Sequence, residues 1–123
     1  MKYKHEDLEI WQSGMDLIDE IYDIADRYPN KERYNLRSQL ISSVTRIPMN
    51  IAEGSGRSTD RDNARFVAIA IGSLLETDTN LKIAIRRKYI VQDDYESVDE
   101  SLKILYYKMI KFEKFLRSRN RKR

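Results

Sequence analysis

Apolar residues recur every three or four positions along almost the whole chain, a spacing that places them on one face of an α-helix. Four such segments follow one another, and the 123 residues include only four glycines and two prolines. A β fold needs a turn about every 8–12 residues, which so few turn-forming residues cannot supply. We therefore expect one all-α domain over residues 1–123, folded as an antiparallel up-down four-helix bundle.

The predicted helices cover residues 7–28, 31–54, 59–88 and 93–118 in approximate bounds, and a basic tail occupies 117–123. Short connections between helices of this length force neighbouring helices to run antiparallel.

Local signals predict the helix ends. Pro29 stops the first helix, and Asn30 is expected to cap the second. Pro48 lies inside the second helix and predicts a kink between Val44 and Pro48, because proline removes a backbone hydrogen bond.

The third helix is expected to take its cap from the hydroxyl of Ser58 or Thr59. The fourth should start near Asp93, with Glu96 closing a capping box. Cations favoured by the helix dipole stand at the end of the third helix: Arg86, Arg87 and Lys88.

The first helix carries two apolar stripes, more than one bundle seam requires. One stripe contains Leu8, Trp11, Met15, Ile18, Tyr22 and Ala25. The second contains Leu17, Ile21, Ile24 and Tyr28. We interpret Leu17, Ile21 and Ile24 as a contact between subunits of an oligomer, which predicts that lysine at Leu17 and Ile21 leaves monomers. An acidic edge on the same helix, a solvated or intersubunit face, contains Asp16, Asp19, Glu20, Asp23 and Asp26.

Charge is distributed unevenly along the chain. Residues 111–123 contain seven Lys or Arg and one Glu and carry +6, whereas the first 110 residues carry −3 of the total +3. Since cysteine is absent, disulfides, thiol nucleophiles and thiolate metal sites are excluded. No apolar run approaches the roughly 20 residues of a membrane span, and no signal peptide follows Met1. We expect a cytoplasmic protein that does not bind membranes.

Five sequence motifs suggest a family: LEIWQ at 8–12, IPMNIAEG at 47–54, GR at 56–57, RF at 65–66 and IAIGSLLE at 69–76. With these motifs the chain resembles the bacterial four-helix-bundle proteins encoded in intervening sequences of 23S ribosomal RNA genes, also called S23 ribosomal proteins. The resemblance covers nearly the whole chain. One departure is Ile71, where many members have a polar or basic residue.

The resemblance implies an up-down four-helix bundle that assembles as a ring, commonly a homopentamer. It also implies kinship with accessory proteins of diversity-generating retroelements, which bind nucleic acid and a reverse transcriptase. The family has no established enzymatic activity, and its ribosomal label reflects gene location.

Three polar residues lie beside the predicted core stripes: Asn50, Glu53 and Glu76. We expect them to form a buried or half-buried polar network that determines helix register, since buried polar groups usually pair with one another. The alternative is a carboxylate pair that holds a ligand or Mg²⁺. The small residues Gly72 and Ser73 are expected to permit close helix approach.

The strongest functional signal is cationic. The predicted nucleic-acid-binding residues are Arg57, Arg61, Arg65, Lys111, Lys114, Arg117, Arg119 and Arg121. Tyr107 could stack on a base among the C-terminal lysines, while free backbone N–H groups at 54–59 could hold a phosphate. The alternative is a solvated surface, with the arginines of the third helix paired to Asp60 and Asp62.

Catalysis is not expected. His5 is the one histidine and lies near the N-terminus, so neither a histidine-based nucleophilic site nor a Glu-x-x-His di-iron site can be assembled. We expect no catalytic residue, no cofactor and no metal. The predicted function is non-enzymatic binding of nucleic acid, with RNA preferred to DNA as the candidate, by a homo-oligomer. The alternative is a scaffold that docks an acidic partner protein.

Overall fold

The computed structural model describes residues 1–119, which form four α-helices joined by short connections. The helices are α1 (Glu9–Ala25), α2 (Leu36–Ser55), α3 (Asp60–Arg86) and α4 (Gln92–Arg119). Each helix packs against two others, in the cyclic order α1, α2, α3, α4. Because each connection is short, successive helices run antiparallel and the bundle is up-down, as predicted. In the described part of the chain, no helix is long and apolar enough to cross a membrane.

The core lies between the four helices and consists of side chains at the predicted heptad and three-four spacings. In α4 the buried positions are Val98, Leu102, Leu105, Met109 and Leu116. In α2 they include Leu40, Val44, Ile47 and Ile51, all fully buried. Burial of such side chains contributes about 1.5–3 kcal/mol each, which makes this core the main source of stability.

The connection between α1 and α2 differs from the prediction. α1 ends at Ala25, before Pro29, and α2 begins at Leu36. Asn30 starts a short 3-10 turn, Asn30–Glu32, and does not cap α2. Instead Glu32 Oε1 accepts a hydrogen bond from the Leu36 N–H at 3.2 Å. A carboxylate at this point also suits the positive end of the helix dipole.

The starts of α3 and α4 are held by side-chain hydrogen bonds, whereas α1 starts at Leu8 with no side-chain cap. Thr59 Oγ1 accepts from the Asp62 N–H at 3.1 Å, so the predicted threonine caps α3. At the start of α4, Asp94 Oδ2 accepts from the Val91 N–H at 2.9 Å, which is the role that the sequence analysis gave to Glu96. α2 is continuous through Pro48.

The structure contradicts the interface predicted for one stripe of α1. Leu17, Ile21 and Ile24 are 1%, 0% and 2% exposed, so they belong to the core of the single chain and cannot form a contact between subunits. The other stripe is divided: Met15 and Tyr22 are 42% and 41% exposed, whereas its remaining members are buried or pack against the core. Lysine at positions 17 and 21 would therefore unfold the bundle, because it would bury unpaired charge.

Close helix approach depends on glycines other than Gly72. A Cβ on Gly54 would lie 2.5 Å from Asn63 Oδ1 and 2.9 Å from the Cβ of Phe66, so α2 and α3 meet here with no room for a side chain. Gly14 is also tightly placed, because its Cβ would meet the ring of Pro48 at 3.4 Å. A Cβ on Gly72 would meet nothing within 4 Å, which makes the prediction for Gly72 wrong.

Alanine substitutions at two helical glycines should therefore have opposite effects. Gly54→Ala should destabilise the chain by about 1–3 kcal/mol, since the added methyl overlaps α3. Gly72→Ala should stabilise it by about 0.5–1 kcal/mol, because alanine reduces the backbone entropy lost on folding. Urea unfolding followed by circular dichroism measures both. Equal effects at the two positions would contradict the packing described here.

Candidate nucleic-acid interface

The predicted basic segments meet at one end of the bundle, where α2 ends, α3 begins and α4 ends. We call this the hairpin end and define it as residues 55–66 together with 108–119. The C-terminal turn of α4 lies on the start of α3 because Arg119 binds Asp60. Segments about fifty positions apart in sequence therefore form one surface.

The ion pair between Arg119 and Asp60 is bidentate. Arg119 Nε donates to Asp60 Oδ2 at 2.7 Å, and Nη2 donates to Oδ1 at 2.9 Å. Asp60 is 0% exposed and occupies the first turn of α3, where the helix dipole favours a negative charge. The hydrogen bonds to Asp60 raise the pKa of the Arg119 guanidinium above its usual value. Arg119 therefore stabilises the fold, and the Asp60 carboxylate already compensates its charge.

A second cluster forms around the ring of Phe66. The guanidinium carbons of Arg57 and Arg65 lie 4.5 and 4.6 Å from its centroid. Asp62 binds both arginines, at 3.6 Å from Arg57 Nε and 3.0 Å from Arg65 Nη2. Arg57 precedes α3 and also binds Glu53 at 2.8 Å. The solvated, salt-bridged alternative therefore describes Arg57 and Arg65 well, although both remain on the surface.

The remaining predicted cations divide into paired and unpaired groups. Arg117 binds Glu113 at 2.9 Å within α4. Arg61, Lys111 and Lys114 are exposed and form no ion pair among residues 1–119. Arg121 lies outside the described residues. The available positive charge of the hairpin end thus comes from Arg61, Lys111 and Lys114.

An apolar groove lies beside these lysines. Its volume is about 420 Å³, and it is lined by Leu8 and Ile10 from the start of α1 and by Lys111, Phe112 and Phe115 from α4. Phe115 is half exposed and stacks on Phe112 at 6.4 Å between ring centroids. Tyr107, one turn before Lys111 in α4, is exposed, and the base stacking predicted for it needs this exposure.

The predicted polar network of Asn50, Glu53 and Glu76 is wrong. Glu53 and Glu76 are exposed and bind different arginines, Arg57 and Arg46 respectively. Asn50 donates only to the backbone oxygen of Arg46, four residues earlier on α2. Because the two carboxylates point to separate partners, neither a shared network nor a shared magnesium site is formed.

Other residues form the polar contacts of the core. Ser43 of α2 and Thr77 of α3 share a buried hydrogen bond of 2.8 Å. The Tyr28 hydroxyl donates to Asn80 Oδ1 at 2.8 Å, and burial raises the pKa of Tyr28. The sequence analysis overlooked these pairs, although Ser43, Thr77 and Asn80 interrupt apolar stripes and were the available signal.

The other chemically capable groups are also engaged or dispersed. His5 packs against Trp11 at 5.3 Å between ring centroids. Several backbone N–H groups near the α2–α3 hairpin are engaged: those of Asp62 and Asn63 bind Thr59, and those of Gly56 and Arg57 bind backbone oxygens of α2. The acidic edge of α1 is exposed, apart from the half-buried Glu20. Among residues 1–119 no three His, Cys, Asp or Glu side chains come together as a metal site would require.

Fold and surface together define an antiparallel four-helix bundle with a cationic end built from the α2–α3 hairpin and the end of α4. The chain belongs to the family of 23S rRNA-intervening sequence proteins, whose model matches residues 6–111. It is also similar to the crystal structure of a protein of unknown function from the S23 ribosomal protein family of Bacteroides thetaiotaomicron VPI-5482. That similarity has a TM-score of 0.77 at 23% identity and covers 85% of this chain and 98% of the other. No curated protein matches the sequence.

Replacing Arg119 tests whether α4 is fastened to the hairpin. Arg119→Ala should lower the melting temperature by several degrees, because it removes the bidentate ion pair to the buried Asp60 carboxylate. Arg117→Ala is the matched control, since it removes an exposed i,i+4 pair on the same turn and should shift the melting temperature by about a degree or less. The double variant Asp60→Asn, Arg119→Gln should recover much of the loss. Equal melting temperatures for the two single variants would show that the pair contributes nothing.

Proposed function

We propose that this protein is a non-enzymatic, oligomeric nucleic-acid-binding protein that contacts RNA, in preference to DNA, through the basic hairpin end. The observation that carries the proposal is the pairing of Arg119 with Asp60. By this pairing the basic end of α4 is held beside Arg61 and the two arginines at Phe66. One surface then presents cations from two distant segments of the chain.

The chemistry of the surface suits a nucleic-acid strand. Arg61, Lys111 and Lys114 supply uncompensated charge for phosphates, and phosphate contacts dominate the affinity of most nucleic-acid-binding proteins. The half-exposed ring of Phe115 and the exposed ring of Tyr107 offer faces for unpaired bases. Aromatic rings between cations are typical of single-strand binding surfaces. The family connection with ribosomal RNA genes favours RNA as the first probe.

Neutralising the available cations should weaken binding and reduce its salt dependence. The variant Arg61→Gln, Lys111→Gln, Lys114→Gln keeps the pair between Arg119 and Asp60, whereas truncation after Leu116 would remove it. The slope of log affinity against log salt should fall by about 2 for single-stranded RNA, since each lost contact contributes about 0.7. Fluorescence titration of labelled RNA between low and physiological salt measures this slope.

The matched control is Lys103→Gln, which removes an exposed charge from the middle of α4. It should leave affinity and slope close to those of the unchanged protein. Excess unrelated RNA should displace the probe, whereas a scaffold for an acidic partner protein, the alternative function, would retain that partner in the presence of RNA. The RNA should also stay intact with magnesium, since we propose no catalytic role. An unchanged slope in the triple variant would show that the hairpin end does not bind the RNA phosphates.

We further propose that the chain assembles as a ring through two faces on diagonally opposite helices, with five subunits as the resemblance implies. α1 exposes Met15 and Tyr22 beside its acidic edge. α3 exposes a row of apolar side chains that comprises Ile69, Leu75 and Ile83.

The α3 face also carries a groove of about 380 Å³ along α2, at the point where Gly72 leaves open space. Arg46 of α2 is exposed beside this groove and complements the acidic edge of α1. Two different faces that bind each other make a heterologous contact, which closes into a ring when the rotation allows it.

Two single substitutions distinguish this contact from a symmetric dimer. Tyr22→Lys and Leu75→Lys should each give monomers of 14.7 kDa, because every contact in either sample contains one damaged face. An equal mixture should form heterodimers of twice that mass, since the intact α1 face of one variant meets the intact α3 face of the other. Light scattering after size exclusion measures the masses. A mixture that stays monomeric, or single variants that stay oligomeric, would contradict the proposed faces.

A further inference from the structure

The opposite end of the bundle holds positive charge that the proposed function does not use. Here the α1–α2 connection, residues 26–35, meets the α3–α4 connection, residues 87–91. We call this end, together with Arg86 at the end of α3, the connection end. Exposed cations without an ion pair in the described part of the chain are Lys31, Arg33, Arg86, Arg87 and Lys88. The hairpin end offers only three such cations among its described residues.

Most acidic side chains of the connection end already bind arginines or backbone N–H groups. Asp26 binds Arg37 at 3.1 Å. Asp94 binds Arg27 and the Val91 N–H. The exposed Asp93 and Glu96 lie at the start of α4, where the helix dipole favours them.

Glu32 is held by the Tyr89 hydroxyl at 2.7 Å, and this hydrogen bond, together with one from the Leu36 N–H, lowers the pKa of Glu32. Glu32 therefore stays ionised near Lys31, whereas the other exposed cations of this end have no carboxylate within ion-pair distance among residues 1–119: Arg33, Arg86, Arg87 and Lys88.

Contacts between the two connections make one surface of these residues. The hydrogen bond from Tyr89 to Glu32 joins the α3–α4 connection to the α1–α2 connection. Lys31 Nζ lies 5.7 Å above the ring centroid of Tyr89, the residue that follows Lys88. The two cation-bearing connections are thus held against each other at Tyr89.

An aromatic ring is exposed within this surface. Tyr34 is 85% exposed, and the guanidinium carbon of Arg33 lies 5.4 Å from its ring centroid. An exposed ring backed by a guanidinium is a platform on which an unpaired base can stack. An acidic peptide would need the cations and would leave the ring unused.

Lys88 has a backbone conformation that favours glycine. Its φ is 64°, and it is the one non-glycine residue with positive φ among residues 1–119. The Lys88 N–H binds the Ile85 oxygen at 2.9 Å, while the Tyr89 N–H binds the Ala84 oxygen at 2.8 Å. This is the Schellman arrangement, in which glycine is the usual residue at the position of Lys88. The chain therefore keeps a cation at a strained position directly after two other cations.

We propose that the connection end is a second nucleic-acid surface, on which the cations of the two connections bind phosphates and Tyr34 stacks on an unpaired base. The 27 residues of α3 separate it from the hairpin end by about 40 Å. This goes beyond the proposed function, since one chain then contacts two separate segments of nucleic acid.

The substitution Lys88→Gly tests the proposal in a variant whose loss of binding could not be explained by a folding defect. Glycine relieves the positive φ, so the melting temperature should rise by about 4 °C. The removed charge should at the same time weaken binding of single-stranded RNA. A variant that is more stable and binds less tightly separates function from folding, and Lys103→Gln again controls for loss of net charge.

Stoichiometry then separates the two surfaces. The probe is a labelled RNA hexanucleotide, which is too short to reach both ends of one bundle, and calorimetry counts the probes bound per chain. The unchanged protein should bind two probes. The hairpin-end triple variant and the variant Arg33→Gln, Arg86→Gln, Lys88→Gly should each bind one, and their combination none. At 0.15 M salt, loss of three contacts weakens a single-strand site about fiftyfold.

Each outcome decides between the two proposals. One probe per chain, abolished by the hairpin-end variant alone, would overturn the second surface and leave the proposed function intact. One probe abolished by the connection-end variant alone would support the second surface and overturn the hairpin end. No bound probe would overturn both. Tighter binding of polyglutamate than of RNA at the connection end would also overturn the inference and indicate an acidic protein partner.

Discussion

The ion pair between the fully buried Asp60 and Arg119 is the interaction on which the surface organisation of this bundle depends. It lies where the first turn of α3 meets the last turn of α4, and it is bidentate. A buried carboxylate without its arginine would be strongly unfavourable, so the pair requires α4 to continue helically to Arg119. That continuation brings the end of α4, where the Arg119 guanidinium also lies 4.9 Å from the ring centroid of Phe115, onto the start of α3. The contact between the two basic segments is thus a consequence of one requirement for charge compensation.

The bundle itself could be predicted from the sequence, because apolar periodicity is a property of a single helix. Val98, Leu102, Leu105 and Met109 repeat along α4 and are buried. What periodicity does not determine is the direction in which a stripe points. α1 carries two stripes, and the choice between them depends on packing against α2 and α4, which a single-helix pattern does not contain. Leu17, Ile21 and Ile24 were assigned to the wrong side for this reason.

The candidate site was predictable to a smaller extent, since charge compensation depends on tertiary partners. The positions of the cations could be read from the sequence. It could not show that Arg57 and Arg65 share Asp62, or that Arg119 has a buried partner. Similarly, spacing placed Asn50 and Glu53 on one face of α2 without showing that Glu53 would bind Arg57. Arg86, Arg87 and Lys88 were explained by the helix dipole alone, because the cations of the α1–α2 connection, about fifty positions away in sequence, gave no sign of lying at the same end of the bundle.

The two cationic ends and the proposed ring have a joint geometric consequence. Faces on α1 and α3 run along the bundle axis, so a heterologous contact between them holds neighbouring bundles side by side and parallel. All hairpin ends would then lie on one rim of the ring and all connection ends on the other, about 40 Å away. Each single end offers only three to five available cations among the described residues, so we expect a modest affinity of one end for a strand at physiological salt. A rim raises the effective concentration of every further site once the first is bound, so assembly would convert weak single contacts into a stable complex.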